Sequence, residues 1–89
     1  MVEASKFNQL KHDGIGISML TCYDYPTAKI QDASGIDVIF VGDSLATNVL
    51  GYAHQNDLSL EEMRHHVRAV ARAIKRAYLL ADIPYSASH

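Results

Sequence analysis

The sequence predicts an α/β protein in which helices cover a parallel sheet. Strand-like and helix-like patterns alternate along the chain in the order helix, β, α, β, α, β. The segment 38–41 is apolar on both faces and rich in β-branched residues, which is typical of a strand buried on both sides of a parallel sheet. Helical crossovers between successive strands are nearly always right-handed and make the strands parallel. We place one domain over residues 1–89.

Composition indicates a globular chain without a general affinity for polyanions. Hydrophobic residues make up 48% of the 89 residues, charged residues 20%, and the net charge is −2, which argues against disorder and against nucleic acid as a partner. The single cysteine, Cys22, permits no internal disulfide and suits a reducing compartment. No apolar run reaches the roughly 20 residues of a membrane span. We expect a cytoplasmic protein with no membrane partner, or an organellar one if a targeting segment precedes residue 1.

The first half of the chain predicts a short helix, a strand and a longer helix. A helix over residues 3–12 would place its apolar residues on one face. Residues 17–21 form an apolar run that predicts the first strand. The helix over 26–34 has Pro26 in its first turn, where proline is tolerated, and Gly35 supplies a glycine suited to its C-terminal end.

The second half predicts a long polar loop, a capped helix and a third strand. Residues 43–58 exceed the usual βα connection of about 2–6 residues and hold too few apolar residues for packing of their own, so we expect a functional or mobile loop. Ser59 and Glu62 have the spacing of a capping box. It opens a helix from 60 to about 77, whose apolar positions recur three and four apart: Leu60, Met63, Val67, Val70 and Ile74. A strand over 78–82 follows.

Three strands cannot close a barrel, and their sheet would have two unpaired edges. A complete (β/α)₈ barrel takes roughly 200–250 residues. We therefore expect the chain to correspond to the first third of a larger unit.

Asp43 and Asp82 each follow an apolar strand directly. If the two strands are neighbours, their carboxyl ends lie about 5 Å apart at the edge of the sheet where α/β proteins bind ligands. Two converging carboxylates suit Mg²⁺, which takes a few carboxylates together with water and substrate oxygens. The alternative is that either aspartate only caps a following turn or helix.

Residues 42–45 also spell the signature of the GDSL esterases, in which Ser44 would be a nucleophile. That chemistry needs an aspartate and a histidine to activate the serine. The Asp-x-x-His pair typical of those enzymes does not occur in the chain, so the esterase reaction ranks as a distant alternative.

Other polar residues have structural interpretations that we favour. Arginines recur every four residues and suggest either a phosphate contact or, as we prefer, the solvated or subunit-facing side of a helix: Arg64, Arg68, Arg72 and Arg76. His65 and His66 point about 100° apart on that helix, so we expect surface or interface histidines. Cys22 is predicted to be a core residue. Tyr23 and Tyr25 follow the first strand, where they either line the site or pack.

Five segments, in order and spacing, resemble the N-terminal part of the ketopantoate hydroxymethyltransferase family, also called 3-methyl-2-oxobutanoate hydroxymethyltransferase. The resemblance extends over nearly the whole chain. The segments are 20–28, 41–45, 49–52, 65–72 and 81–84.

The resemblance implies a (β/α)₈ TIM barrel, here only its first three strands and two crossover helices plus a short N-terminal helix. It also implies transfer of a hydroxymethyl group from 5,10-methylenetetrahydrofolate, the co-substrate, to 3-methyl-2-oxobutanoate, giving 2-dehydropantoate for pantothenate synthesis. By match of motif, Asp43 and Asp82 would hold Mg²⁺ or its waters, and Asp43, Ser44 and Asp82 would contact the 2-oxo acid. Metal chelation of a 2-oxo acid stabilises the enolate that such a transfer needs. A homo-oligomer is implied for the full-length family.

Two features depart from the family pattern. Ala46 stands where the family usually has glycine, and residues 85–89 differ from the usual continuation. The family's general base lies on later strands, so the resemblance places no catalytic base in this chain. We therefore expect the 89-residue chain alone to be catalytically silent; the alternative role is a fragment that acts only by association through its strand edges and the helix 60–77.

Overall fold

The computed structural model describes residues 16–84, in which short parallel strands alternate with helices. The elements are β1 (Met19–Thr21), α1 (Tyr25–Ala33), β2 (Val38–Val41), α2 (Leu45–Asn48), a 3₁₀ turn (Gln55–Asp57), α3 (Leu60–Ala73) and β3 (Tyr78–Ala81). The predicted alternation of strands and crossover helices is confirmed over this range. The helix predicted for 3–12 lies outside the described residues.

The three strands form one parallel sheet in the order β1-β2-β3, as the crossovers predict. Val38 pairs with Met19 on one side and with Tyr78 on the other, so β2 is the central strand. Its residues Val38, Ile39 and Val41 are buried, and Ile39 and Val41 belong to the core that the two long helices share with the sheet. The arrangement is a mixed α/β unit with a parallel three-stranded sheet.

The first helix begins and ends as its sequence signals indicate. The Asp24 carboxylate accepts a hydrogen bond from the Thr27 N–H at 2.8 Å, and Pro26 occupies the first turn. After the helix, Gly35 has a φ of +90°, a left-handed conformation that glycine adopts without steric cost. Cys22, just after β1, is 2% exposed, and burial raises the pKa of its thiol. It is therefore the core residue that the sequence predicts.

The longest helix, α3, opens with the predicted capping box. The Ser59 hydroxyl accepts from the Glu62 N–H at 3.1 Å, and the Glu62 carboxylate accepts from the Ser59 N–H at 3.0 Å. The apolar side of α3 packs against α1 and the sheet. Within residues 16–84, no helix combines the length and the apolar character that crossing a membrane requires.

We expect Ser59→Ala to lower the free energy of unfolding by about 1 kcal/mol, the usual value of a lost N-terminal cap. Urea denaturation measures the change. The matched control is Ser34→Ala, whose hydroxyl only bonds back to the Ile30 carbonyl within α1 and which we expect to change stability by less than about 0.5 kcal/mol. Equal losses in the two variants would show that the capping box contributes nothing.

The predicted end of α3 is wrong, because the helix stops at Ala73 rather than near 77. Asp32, a buried residue of α1, causes the change. Its carboxylate accepts three successive backbone hydrogen bonds: from Lys75 N–H at 3.1 Å, Arg76 N–H at 3.1 Å and Ala77 N–H at 2.8 Å. Amides bonded to a carboxylate cannot also bond the carbonyl four residues earlier, so the helical ladder cannot continue.

Residues 43–58 are also more ordered than the sequence predicts. The segment contains α2 and the 3₁₀ turn, and Leu45, Ala46 and Leu58 are fully buried in the core. Three apolar side chains suffice because they join the core beside the sheet and need no packing of their own. The Tyr52 hydroxyl, which donates to the Glu62 carboxylate at 2.5 Å, ties the segment to α3.

Candidate active site

Asp43 and Asp82 meet at the carboxyl edge of the sheet. Val41 and Ala81 are paired in register on β2 and β3, and the Asp82 N–H donates to the Val41 carbonyl at 3.1 Å. The backbone N–H of Asp43 then donates to Oδ2 of Asp82 at 3.0 Å. The predicted proximity of these two strand ends, 39 residues apart in sequence, is confirmed.

The two carboxylates keep oxygens that are available to a ligand. Asp82 uses one oxygen for the Asp43 amide, and among residues 16–84 no donor is bonded to the Asp43 carboxylate. Asp43 also caps no helix there, since α2 begins after Ser44 without a side-chain cap. The donor chemistry fits Mg²⁺, a hard cation that accepts one or two carboxylates and fills its remaining positions with water and substrate oxygens. No group of three or more histidine, cysteine or acidic side chains able to hold a metal ion occurs in the described range. The described residues therefore do not form a site that surrounds a metal ion with protein ligands alone.

Ser44 pairs with a tyrosine that follows the neighbouring strand. The hydroxyl oxygens of Ser44 and Tyr23 lie 2.7 Å apart, and both residues are half-buried. Tyr25 is different: it begins α1, and its side chain is 45% exposed. The structure thus brings Tyr23 to the predicted site. In the described part of the chain the Ser44 hydroxyl is bonded to no histidine, so the esterase alternative gains no support.

His66 reaches from α3 to the same strand end. Its Nδ1 lies 2.7 Å from the backbone carbonyl oxygen of Tyr23. A carbonyl can only accept, so Nδ1 carries the proton. His65 is exposed, as predicted, with its ring edge-on to that of His66 at a centroid distance of 5.3 Å. The prediction of surface or interface histidines did not include the specific partner of His66, which is half-buried.

The arginine stripe has the solvated character that we favour from the sequence. All four arginines are exposed, and Arg64 forms only an exposed ion pair with Glu61 at 3.5 Å, which contributes little to stability. Arg76 lies beyond the end of α3 and donates instead to the carbonyls of Asp32 and Ile36. The stripe is therefore shorter than the sequence spacing suggests.

Tyr52 and Glu62 perturb each other's ionisation. The hydrogen bond to Glu62 raises the pKa of the Tyr52 hydroxyl. The same bond, followed by the bonds from Ser59, lowers the pKa of the Glu62 carboxyl. Both shifts favour a neutral tyrosine beside a charged glutamate at neutral pH, which is the pairing that holds residues 43–58 against α3.

Comparison with known proteins identifies a family that the chain matches. Residues 1–89 match the family model described as ketopantoate hydroxymethyltransferase. The chain is 52% identical over 79 residues to a protein of Oceanobacillus iheyensis named 3-methyl-2-oxobutanoate hydroxymethyltransferase, with 89% of this chain and 29% of that protein covered. Proteins of the same name from Koribacter versatilis (52% identity, 89% and 26% covered) and Acetivibrio thermocellus (48%, 96% and 30%) are similarly related.

The chain spans less than a third of the length of these curated relatives. The family model nevertheless matches every residue of this chain, and the identity to these relatives is about one half over the 79 to 85 aligned residues. The resemblance based on five sequence segments is confirmed, and the chain belongs to the ketopantoate hydroxymethyltransferase family, whose relatives are named as transferases.

Proposed function

We propose that this chain carries the metal- and substrate-binding edge of a 3-methyl-2-oxobutanoate hydroxymethyltransferase. The reaction would move a one-carbon unit from 5,10-methylenetetrahydrofolate to 3-methyl-2-oxobutanoate, with water supplying the hydroxyl oxygen, and release 2-dehydropantoate and tetrahydrofolate. The observation that carries the proposal is the 3.0 Å bond between the Asp43 amide and the Asp82 carboxylate, with Ser44 next in the chain. The names of the relatives support the choice of reaction.

Asp43 and Asp82 are the residues that would hold Mg²⁺. Two carboxylates repel an anionic 2-oxo acid unless a cation lies between them, and the free oxygens of this pair are hard ligands of the kind that Mg²⁺ prefers. When bound, the metal would polarise the keto group and stabilise the negative charge of the enolate. The Asp43 amide holds the Asp82 carboxylate in one orientation. The second oxygen of Asp82 therefore has a fixed direction before a ligand binds.

Ser44 is proposed to bind the substrate as a hydrogen-bond donor. Of Asp43, Ser44 and Asp82, only Ser44 has a hydroxyl that can donate a hydrogen bond to an anion, because ionised carboxylates only accept. A 2-oxo acid offers only acceptor oxygens. Ser44 is therefore the member of the set that can bond the substrate without help from a cation.

We infer that the unit forms part of a (β/α)₈ barrel. Residues of both edge strands are exposed, with Met19 at 55% and Leu20 at 47% in β1 and Leu80 at 42% in β3. Apolar residues on unpaired strands favour pairing with further strands. Homo-oligomerisation and a cytoplasmic location stay predictions.

A second proposal concerns the 89-residue chain by itself: that it binds ligand without turnover and functions only after association. Within the described residues, the side-chain hydrogen bonds of Asp43, Ser44 and Asp82 involve only one another's backbone or side chains and Tyr23. With Asp43 and Asp82 assigned to the cation and Ser44 to the substrate, none of the three is left to take the C3 proton of the substrate.

The test is a chimera in which the 79 aligned residues of this chain replace the matching segment of the Oceanobacillus iheyensis relative, assayed for 2-dehydropantoate formation with Mg²⁺. We expect activity in the chimera and a loss of at least about 100-fold in Asp43→Asn, because that variant loses a carboxylate that would hold the cation which stabilises the enolate. Asp37→Asn is the control. Asp37 precedes the same strand at its other end, and its carboxylate accepts from the N–H and hydroxyl of Ser18.

Equal activity of Asp43→Asn and Asp37→Asn would overturn the proposed role of Asp43. A folded chimera that forms no 2-dehydropantoate would overturn the proposed function. The unmodified 89-residue chain is assayed beside them, and product formed by that chain would contradict the second proposal.

A further inference from the structure

Tyr23 and Ser44 follow neighbouring strands and share one short hydrogen bond. Their hydroxyl oxygens lie 2.7 Å apart, the usual separation for an O–H···O bond. Each hydroxyl has one proton to donate, so in this bond one residue must donate and the other must accept. The direction decides whether Ser44 presents its proton or its lone pairs to a ligand.

The charges of the site favour one direction. Asp43 and Asp82 surround the edge with acceptor oxygens, and a 2-oxo acid adds further acceptors. If Ser44 donated to Tyr23, it would turn only lone pairs towards an anion. If Tyr23 donates, the Ser44 proton is free for the substrate, and the two bonds in series strengthen each other.

Tyr23 is anchored at both its ring and its backbone. The ring packs against the hydrophobic core, and the backbone carbonyl accepts the Nδ1–H of His66 at 2.7 Å. The Ser44 backbone is also held, because its carbonyl accepts from the Asn48 N–H at 2.9 Å and from the Thr47 hydroxyl at 3.2 Å, but its side chain makes no capping bond to α2. The side chain that is held by packing is therefore that of the tyrosine.

We infer that Tyr23 is a positioning residue, which donates its phenolic proton to Ser44 and so directs the Ser44 hydroxyl to the carboxylate of an anionic 2-oxo acid. His66 supports this arrangement through the Tyr23 backbone. The inference rests on the proposed function, since it specifies how Ser44 recognises that substrate class.

The test uses the 89-residue chain in solution and two readouts by NMR. The first is the side-chain rotamer of Ser44, from its Hα–Hβ couplings without ligand. The second is the dissociation constant, with Mg²⁺ present, of 3-methyl-2-oxobutanoate and of 3-methyl-2-butanone, in which a methyl group replaces the carboxylate. Tyr23→Phe keeps the ring and removes the hydroxyl; Tyr25→Phe is the matched control.

We expect Tyr23→Phe to release Ser44 into several rotamers and to weaken 3-methyl-2-oxobutanoate binding about three- to tenfold, the value of one hydrogen bond. Binding of the ketone should not change, because the ketone lacks the carboxylate that Ser44 would contact. Tyr25→Phe should alter neither readout. His66→Ala should reproduce part of the effect, and His66→Asn, whose side-chain amide can still donate, should restore it, with His65→Asn as control.

Three results would overturn the inference. A single unchanged Ser44 rotamer in Tyr23→Phe would show that the tyrosine does not position the serine. Equal weakening of both ligands would indicate a general structural role. If the unsubstituted chain with Mg²⁺ binds no 3-methyl-2-oxobutanoate, the inference is overturned for this chain. None of the three results decides the proposed function, which the chimera assay tests separately.

Discussion

Replacing Asp32 with alanine is expected to lower the free energy of unfolding by about 3–5 kcal/mol. The substitution leaves three backbone N–H groups without their acceptor, one of them in the fully buried residue Ala77. An unsatisfied buried donor costs about 1–3 kcal/mol. A chain of this length has a total stability of roughly 4–13 kcal/mol, so the loss removes a large part of it.

The same carboxylate predicts a dependence of stability on pH. Burial alone would raise the pKa of Asp32, but the hydrogen bonds from Ala77, Lys75 and Arg76, together with the Arg76 charge, outweigh burial and hold the pKa below its ordinary value. The folded pKa is then lower than the unfolded pKa of about 3.9. The stabilisation is therefore fully present above about pH 4 and is lost as the pH falls from there through the folded pKa.

Urea denaturation of the wild type, Asp32→Ala and Asp32→Asn at neutral and acid pH measures both effects. Asp32→Asn should be intermediate at neutral pH and should lose less stability on acidification, since it has no carboxylate to protonate. Asp37→Asn, an aspartate with exposed hydrogen bonds, is the control and should remain within about 1 kcal/mol of the wild type. If Asp32→Ala were as stable as this control, the role given to Asp32 in ending α3 would be wrong.

Asp82→Asn should lower Mg²⁺ affinity by about 10- to 100-fold, the effect typical of disturbing groups that orient a metal site, and more than Asp43→Asn does. Asp82 has two tasks, because one oxygen accepts the Asp43 amide and the other is left for the cation. Asparagine can still accept the amide, but its NH₂ group would then face the metal. In Asp43→Asn the bond to Asp82 survives, since Asp43 donates through its backbone.

Calorimetric titration of Mg²⁺ at fixed ionic strength tests this order of affinities. Asp57→Asn serves as control, because Asp57 lies exposed in the 3₁₀ turn and should leave the affinity unchanged. An affinity in Asp82→Asn equal to that of the control would exclude Asp82 as a ligand. Asp43→Asn binding more weakly than Asp82→Asn would reverse the roles proposed for the two residues.

The parts of the fold that the sequence predicts are those with local signals. The apolar, β-branched composition of Val38–Val41 predicts the central strand, and the spacing of Ser59 and Glu62 predicts the capping box. The structure confirms both. The meeting of Asp43 and Asp82 is also predictable, because parallel strands bring their carboxyl ends to one edge.

The errors arise where contacts distant in sequence override local preference. The periodic apolar pattern of α3 continues to Ile74, but Asp32, more than forty residues earlier, takes the amides that the last turn would need. The sequence also gives no sign that His66, expected at a surface or interface, bonds to the carbonyl of Tyr23, which is 43 residues away. Periodicity reports which face of an element is apolar; it carries no information about a single carboxylate or carbonyl arriving from another element.

The hydrogen bonds that Asp32 accepts from the backbone just before β3 also affect how variants that lose activity should be interpreted. Asp82 follows the opposite end of that four-residue strand, about 13 Å further along. Successive side chains of a strand alternate between its faces, so a slip of one residue would turn Asp82 away from Asp43. A screen of chimera variants for lost 2-dehydropantoate formation would therefore recover Asp32 beside Asp82, although Asp32 has no proposed contact with the substrate. Only a measurement of folding would distinguish Asp32, which fixes the position of β3, from Asp82, whose role depends on that position.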